Sequence, residues 1–319
     1  MRQVGLVKAV KVMNAFFRKV EINMQLLHGN AGIFIKIPQR MVKVEEQVFV
    51  FHASKWGPNV KSKRSRMDKD SYFEFFLSIF VVNTYQMNAV ITGASRGIGK
   101  TLAQIFALHG YNLFLCSKTE SNLLETIEEL KTTFPSVSID GKAADLGHKT
   151  GAKLFGEWVL KNADSIDVLI NNTGTFIQGN VSDEPDGALE TMLEVNLYSA
   201  YHTTRTLLPR MKAQKSGHIF TICSIASLAA YPGGGAYSIS KYALLGFTRN
   251  LRAELKEHGI KVTAVIPGAV YTDSWKGSGV AETRIMETED LAKMMFAATQ
   301  LSPQAVVEDI VLRPQLGDL

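Results

Sequence analysis

A tyrosine and a lysine stand four residues apart, Tyr237 and Lys241, in the stretch GGGAYSISKYALLGF (233–247). On a helix, positions i and i+4 share one face. An ammonium beside a phenol favours the phenolate, drawing a pKa of about 10 toward the range useful for proton transfer near neutrality. In isolation the pair reads as an aromatic–lysine contact on a solvated helix start; beside a dinucleotide turn and Ser224 upstream, the three glycines before it read as a flexible substrate-side loop. A second cluster lies upstream, where TGASRGIG (92–99) spaces its glycines as G-x-x-x-G-x-G. Such glycines allow a tight turn and a close backbone approach, and a following helix offers free N–H groups to a pyrophosphate. Gly93, Ser95, Arg96, Gly97, Ile98 and Gly99 therefore form a candidate dinucleotide cradle. About 20 residues beyond such a turn, an NAD site usually presents an acid to the ribose hydroxyls. Here LFLCSKTE (113–120) offers Ser117 and Lys118 instead. With Arg96 in the turn itself, these suit a 2′-phosphate, so NADP(H) is favoured over NAD(H). Glu120 stands close by, and both cations also fit plain surface charges.

These residues need a scaffold, and the chain from Met87 onward supplies an alternating one. NAVIT (88–92), YNLFLC (111–116), VSIDGKAA (137–144), IDVLIN (166–171), HIFTIC (218–223), KVTAVI (261–266) and VVEDIVL (306–312) read as seven strands. Between them run helical patterns, including 98–109, 120–134, about 185–215 and 236–258. Near-continuous apolar strands separated by amphipathic helices predict an α/β domain. Its form is a doubly wound (Rossmann-type) parallel seven-stranded sheet with helices on both faces. Ligands of such folds sit at the carboxyl ends of the strands.

Six segments then fall in a familiar order: TGASRGIG, NNTG (171–174), EVNLYSAY (194–201), CSIAS (223–227), YSISK (237–241) and PGAVYT (267–272). The chain resembles the single-domain short-chain dehydrogenases/reductases, through motifs over 88–272 and by length over 87–319. The resemblance implies an NADP(H)-dependent oxidoreductase that moves a hydride between nicotinamide and a carbonyl compound or secondary alcohol. It implies Tyr237 as general acid/base, Ser224 on the substrate oxygen, and Lys241 as tuner of Tyr237 and holder of the nicotinamide ribose. Asn196 would support a water-linked relay to the lysine. Asp145 would contact adenine, Asn171 and Gly174 would steady the sheet and pass close to the cofactor, and Pro267, Gly268 and Thr272 would border the nicotinamide. Thr173 replaces the family's usual alanine. Substrate specificity would come from loops at 175–183, 226–235 and 273–287, and pairing through two long helices would give homodimers or homotetramers. Two rivals stand beside this reading. One is a 3-oxoacyl-carrier-protein-reductase-like enzyme, although the chain ends VLRPQLGDL where those enzymes tend to carry a glycine-rich tail. The other is a non-catalytic dinucleotide-binding sensor, against which the full set of Asn196, Ser224, Tyr237 and Lys241 argues.

Composition bounds the rest. The chain has 319 residues, 46% hydrophobic and 20% charged, which describes a globular protein. Its two cysteines, Cys116 and Cys223, sit in apolar segments without disulfide or metal-ligand spacing, so no metal and a reducing cytoplasm are expected. The excess positive charge is local: residues 1–86 hold 14 Lys/Arg against 6 Asp/Glu, leaving 21 against 24 from Met87 onward. Nucleic-acid binding by the main domain is not implied. The longest uncharged run near the front, Phe75–Tyr85, falls short of the roughly 18–20 residues that span a bilayer, so no membrane association is expected. Residues 1–86 lack the strand–helix rhythm. They contain KSKRSR (61–66), an apolar VFVF (48–51) and an acid-free, transit-like first twenty residues. They read as a basic extension outside the fold, with Met87 as the natural start.

Overall fold

The computed structural model describes residues 86–275, 277 and 279–319, together with the backbone of two earlier strands. The basic hexamer at 61–66, the first twenty residues, the cluster at 48–51 and the run at 75–85 lie outside the described residues. The chain divides into two units, 1–81 and 82–319. In the first, β1 (Glu21–Leu27) and β2 (Asn30–Lys36) form an antiparallel pair, with Glu21 opposite Lys36 and Leu27 opposite Asn30. This hairpin is a departure from the sequence reading. Its signal was present in the strict alternation of Ile22, Met24 and Leu26.

The second unit is the expected seven-stranded parallel sheet. In chain order its strands are β3 (Asn88–Thr92), β4 (Asn112–Ser117), β5 (Ile139–Ala143), β6 (Val168–Asn171), β7 (His218–Ile222), β8 (Lys261–Pro267) and β9 (Asp309–Leu312). They lie side by side as 5-4-3-6-7-8-9, every neighbouring pair parallel. The helices are α1 (Gly97–Leu108), α2 (Glu120–Thr133), α3 (Lys149–Asn162), α4 (Ala188–Met192), α5 (Ser199–Gln214), α6 (Gly235–Leu255) and α7 (Thr288–Thr299). Side chains of successive strand residues point to opposite faces, and two cores follow. Ala89, Ile91, Leu113 and Leu115 pack with Leu102 and Phe106 of α1, Leu123 and Ile127 of α2 and Met295 of α7. Val90, Phe114 and Cys116 pack with Phe155 of α3, Leu207 and Met211 of α5 and Leu255 of α6. Phe106 and Phe155, one in each core, are fully buried, each worth about 1.5–3 kcal/mol of transfer free energy.

The strand order reverses beside β3, and the crevice for ligands in a doubly wound sheet opens at that point, beyond the carboxyl ends of β3 and β6. One long expected helix departs from the reading. The span 185–215 is helical from Ala188 to Gln214 but not α-helical throughout: α4 ends at Met192, a π-helical turn covers Leu193–Tyr198, and α5 resumes at Ser199. Single π turns inside helices mark places where a side chain is re-aimed, often at functional sites. Here that side chain is Asn196.

Candidate active site

The glycine turn joins β3 to α1. Gly93 and Gly97 adopt φ of +65° and +51°, the left-handed region that glycine enters without penalty. Gly99 is needed for closeness instead: a Cβ there would stand 2.1 Å from the Gly93 carbonyl oxygen. The Asn172 amide donates to the carbonyls of Thr92 and Gly93, both at 3.0 Å, and the Asn172 N–H donates to the Thr92 hydroxyl at 3.0 Å. These bonds fasten the end of β6 to the turn. No side chain caps the N-terminus of α1, and its first turn carries no acid. A helix start of that kind, approached by backbone that a Cβ would obstruct, fits a dinucleotide pyrophosphate. Ile98 packs against the first core, so its contribution to the cradle is backbone. A Cβ on Gly97 would come within 3.2 Å of the Thr272 methyl, so the loop after β8 closes over the same turn.

At the far end of the crevice, the Ser117 hydroxyl lies 2.8 Å from that of Ser95. Lys118 is not a free cation as expected. Its ammonium pairs with Asp145 at 2.7 Å, and this bond holds the Asp145 carboxyl below the usual range. Asp145 also accepts from the Gly147 N–H at 3.1 Å. Arg96 is exposed, and among the described residues no carboxylate pairs with it.

Four residues expected at the reacting end converge. Ser224 follows β7 and is 8% exposed, while Lys241 and Asn196 are 5% and 0% exposed. Ser224 opens a 3-10 turn, accepting from the Ala226 N–H at 3.1 Å, while its own N–H donates to the Ser227 hydroxyl at 3.2 Å. Ser227, three residues on, thus completes a reciprocal cap that orients Ser224. The Lys241 ammonium donates to the Ile222 carbonyl at 2.8 Å and lies 5.8 Å from the centre of the Tyr237 ring. Burial pushes Lys241 down to about 8. Burial also raises the Tyr237 phenol, with a hydrogen bond from Ser224 pulling the other way. The expected lowering of Tyr237 by its lysine is not found: burial sets the direction, the opposing pull comes from Ser224, and desolvation disfavours the charged form of both Tyr237 and Lys241. Asn196 accepts from the Thr175 N–H at 2.7 Å and donates to the Thr175 carbonyl and the Ser240 hydroxyl at 3.0 and 2.9 Å. A Cβ on Gly174 would come within 3.2 Å of Asn196 Oδ1 and 3.6 Å of Lys241 Nζ, so both groups border the space over that glycine.

The remaining expected positions divide. Asn171 is buried, with its amide donating to the Thr204 hydroxyl at 2.9 Å. Asn171 ties α5 to the end of β6, and its neighbour Asn172 is the residue that meets the glycine turn. Pro267 ends β8, and the Gly268 N–H donates to the Leu312 carbonyl at 2.8 Å, where a Cβ would meet Asp318 and Pro314 at 3.0 Å. The glycines before Tyr237 are tied rather than loose. Gly233 donates to Asn180 at 2.8 Å and its carbonyl accepts from Gly179 at 3.1 Å, while Glu184 accepts from the Ala236 N–H at 2.9 Å. A carboxylate at a helix start is favourable, and its only sequence signal was an acid in the loop opposite. Cys116 and Cys223 are free thiols that burial pushes up to about 12 and 11. A cavity of about 460 Å³ lies lined by Val181, Ala230, Tyr231, Ile239 and Tyr242. Ser224, Tyr237 and Lys241 do not line it, so it is not the reacting site. Among the described residues no group of three or more His, Cys, Asp or Glu could hold a metal, and no helix is long and apolar enough to cross a membrane.

Similarities to known proteins follow the same outline. Residues 87–282 match the short chain dehydrogenase family. An uncharacterised oxidoreductase of Staphylococcus saprophyticus is 30% identical over 226 residues, covering 71% of this chain and 96% of its own. Among solved structures, a metagenomic short-chain oxidoreductase in complex with NADP superposes with a TM-score of 0.63 at 28% identity. The match covers 72% of this chain and 97% of the other. An alcohol dehydrogenase from Thermococcus sibiricus, complexed with 5-hydroxy-NADP, gives 0.67 at 26% identity over 73% and 99%. The glycine turn, the serine, tyrosine and lysine around one crevice and the family match over most of the second unit agree: this chain belongs to the short-chain dehydrogenases/reductases and is an oxidoreductase acting on CH–OH donors.

Proposed function

We propose that the chain is an NADP(H)-dependent carbonyl reductase in which Tyr237 gives the proton. The observation that carries this reading is the gathering of Ser224, Tyr237, Lys241 and Asn196 at the carboxyl ends of the strands, beside an uncapped glycine turn. The exposed Arg96 and the NADP bound by similar proteins support a 2′-phosphorylated cofactor, held at its pyrophosphate by the turn and at its nicotinamide end by Lys241 and the 267–272 loop. When bound, NADPH supplies a hydride from its nicotinamide C4. Ser224 donates a hydrogen bond to the substrate oxygen and stabilises the negative charge that develops there. Burial keeps Tyr237 protonated near neutrality, so its hydroxyl passes a proton to that oxygen. This favours reduction over oxidation. Lys241, cationic below about pH 8, steadies the phenolate left behind. Asn196 orders the far side of the space over Gly174, through which a proton returns to Lys241 and Tyr237. Tyr237→Phe removes the proton donor without altering the crevice. Turnover with a reactive diketone is expected to fall about 10²–10⁴-fold, with NADPH affinity by fluorescence within about threefold of the parent. Near-normal turnover in that variant would overturn the assignment.

A further inference from the structure

The two loops that border Ser224 and Tyr237 contain no charged residue: 173–182 reads TGTFIQGNVS and 225–236 reads IASLAAYPGGGA. From the first, Phe176 reaches the proton donor directly. Its ring centre lies 4.9 Å from that of Tyr237 with the planes at 84°, yet Phe176 remains 49% exposed. From the second come Leu228 and Tyr231, 40% and 42% exposed. The Tyr231 phenol is raised first by burial and then by the nearby Tyr237, which puts the two tyrosines within electrostatic reach of each other.

Charge around these loops disfavours an anion. Asp183, Glu184 and Asp186 follow Phe176 on the same segment. Among the described residues of 173–187, 225–236 and 268–287, Arg284 is the one cation. Its guanidinium donates to the carbonyls of Gly317 and Asp318, both at 3.0 Å. Lys241 is buried and donates to Ile222. Lys276 lies outside the described residues. A half-exposed aromatic ring against the proton donor is a stacking surface for a flat group, because aromatic rings attract one another beyond simple area burial.

We propose that the site takes uncharged ketones and aldehydes whose reacting carbonyl adjoins an aryl or other flat unsaturated group, and that Phe176 sets this preference. The inference rests on the carbonyl-reductase reading above. The test uses the full chain with NADPH and four probes of one reactive type: 1-phenylpropane-1,2-dione, butane-2,3-dione, benzoylformate and pyruvate. The neutral aryl diketone is expected to exceed both butanedione and benzoylformate in kcat/KM by about tenfold or more, the size of one aromatic contact or one unpaired charge. Phe176→Ala is expected to lower the aryl-to-methyl ratio about tenfold relative to the parent, while Phe176→Tyr keeps it within about threefold. Comparing ratios between variants cancels the intrinsic reactivity of each probe. Thermal melting and NADPH fluorescence report whether the variants remain folded. An unchanged ratio in a folded Phe176→Ala overturns the proposal, and so does a preference for either acid that Lys276→Ala abolishes. Turnover in the wrong order refutes the substrate class alone, whereas no turnover of any probe refutes the carbonyl-reductase reading and this inference with it.

Discussion

At the scale of single residues, the account turns on Lys241. Its ammonium is buried, and burial draws its pKa from 10.5 down to about 8. The charged form is the one disfavoured, so the proton leaves as pH rises through that value. Carbonyl reduction measured with both substrates below saturation reports the free protein. It is expected to be level from about pH 6 to 7 and to fall about tenfold per unit above pH 8. A rate still level at about pH 10 would contradict the assigned role. Arg96 and Lys118 carry the second residue-scale prediction. Lys118 is held by Asp145 and Arg96 is not. Arg96→Ala is therefore expected to weaken NADPH about tenfold or more, the loss of one charge-assisted hydrogen bond, and to leave NADH nearly unchanged. Lys118→Ala should cost less. Equal losses with both cofactors would remove the 2′-phosphate argument. Sequence alone identified which cations stood near the turn but not that one was already paired, because the pair joins residues 27 positions apart through the ends of two strands.

At the scale of elements, the close contacts of the glycine turn decide the outcome. Gly99→Ala would drive a Cβ to 2.1 Å from the Gly93 oxygen, and the turn, pinned on its other side by Asn172, has no room to yield. Denaturant unfolding is expected to show a loss of about 1–3 kcal/mol, together with strongly weakened NADPH binding. A variant that binds NADPH normally would show that the turn is looser than its contacts imply. The strands and most helices were legible because buried parallel strands read as apolar runs and the helices as periodic faces. The π turn at 193–198 was not, since it adds one residue to a helix whose apolar spacing continues on either side. Asn196 was picked out by motif, but its means of reaching Thr175 and Ser240 came from that extra residue. Ser227, Glu184 and Asn172 escaped for a related reason. Each acts on a backbone N–H or carbonyl, Glu184 and Asn172 across to another segment and Ser227 within its own turn, and backbone partners leave no residue-type signature.

At the scale of the whole molecule, two features organise the expectations. The family match begins at Met87, and among the described residues both cores are built from positions after it. We infer that residues 87–319 fold and work without the preceding segment. That fragment is expected to melt within a few degrees of the full chain, to retain its kcat, and to elute as a dimer or tetramer. Loss of folding on truncation, or a monomer with full activity, would refute the corresponding part. The central claim is that this chain transfers hydride to a carbonyl carbon rather than merely binding a dinucleotide. NADPH deuterated at the transferring C4 position, incubated with the full chain and 1-phenylpropane-1,2-dione, tests it directly by mass spectrometry of the product. The account predicts an alcohol bearing one deuterium on the newly formed carbinol carbon, absent when Tyr237→Phe replaces the parent. NADPH that binds but leaves the diketone unlabelled and unreduced would contradict it.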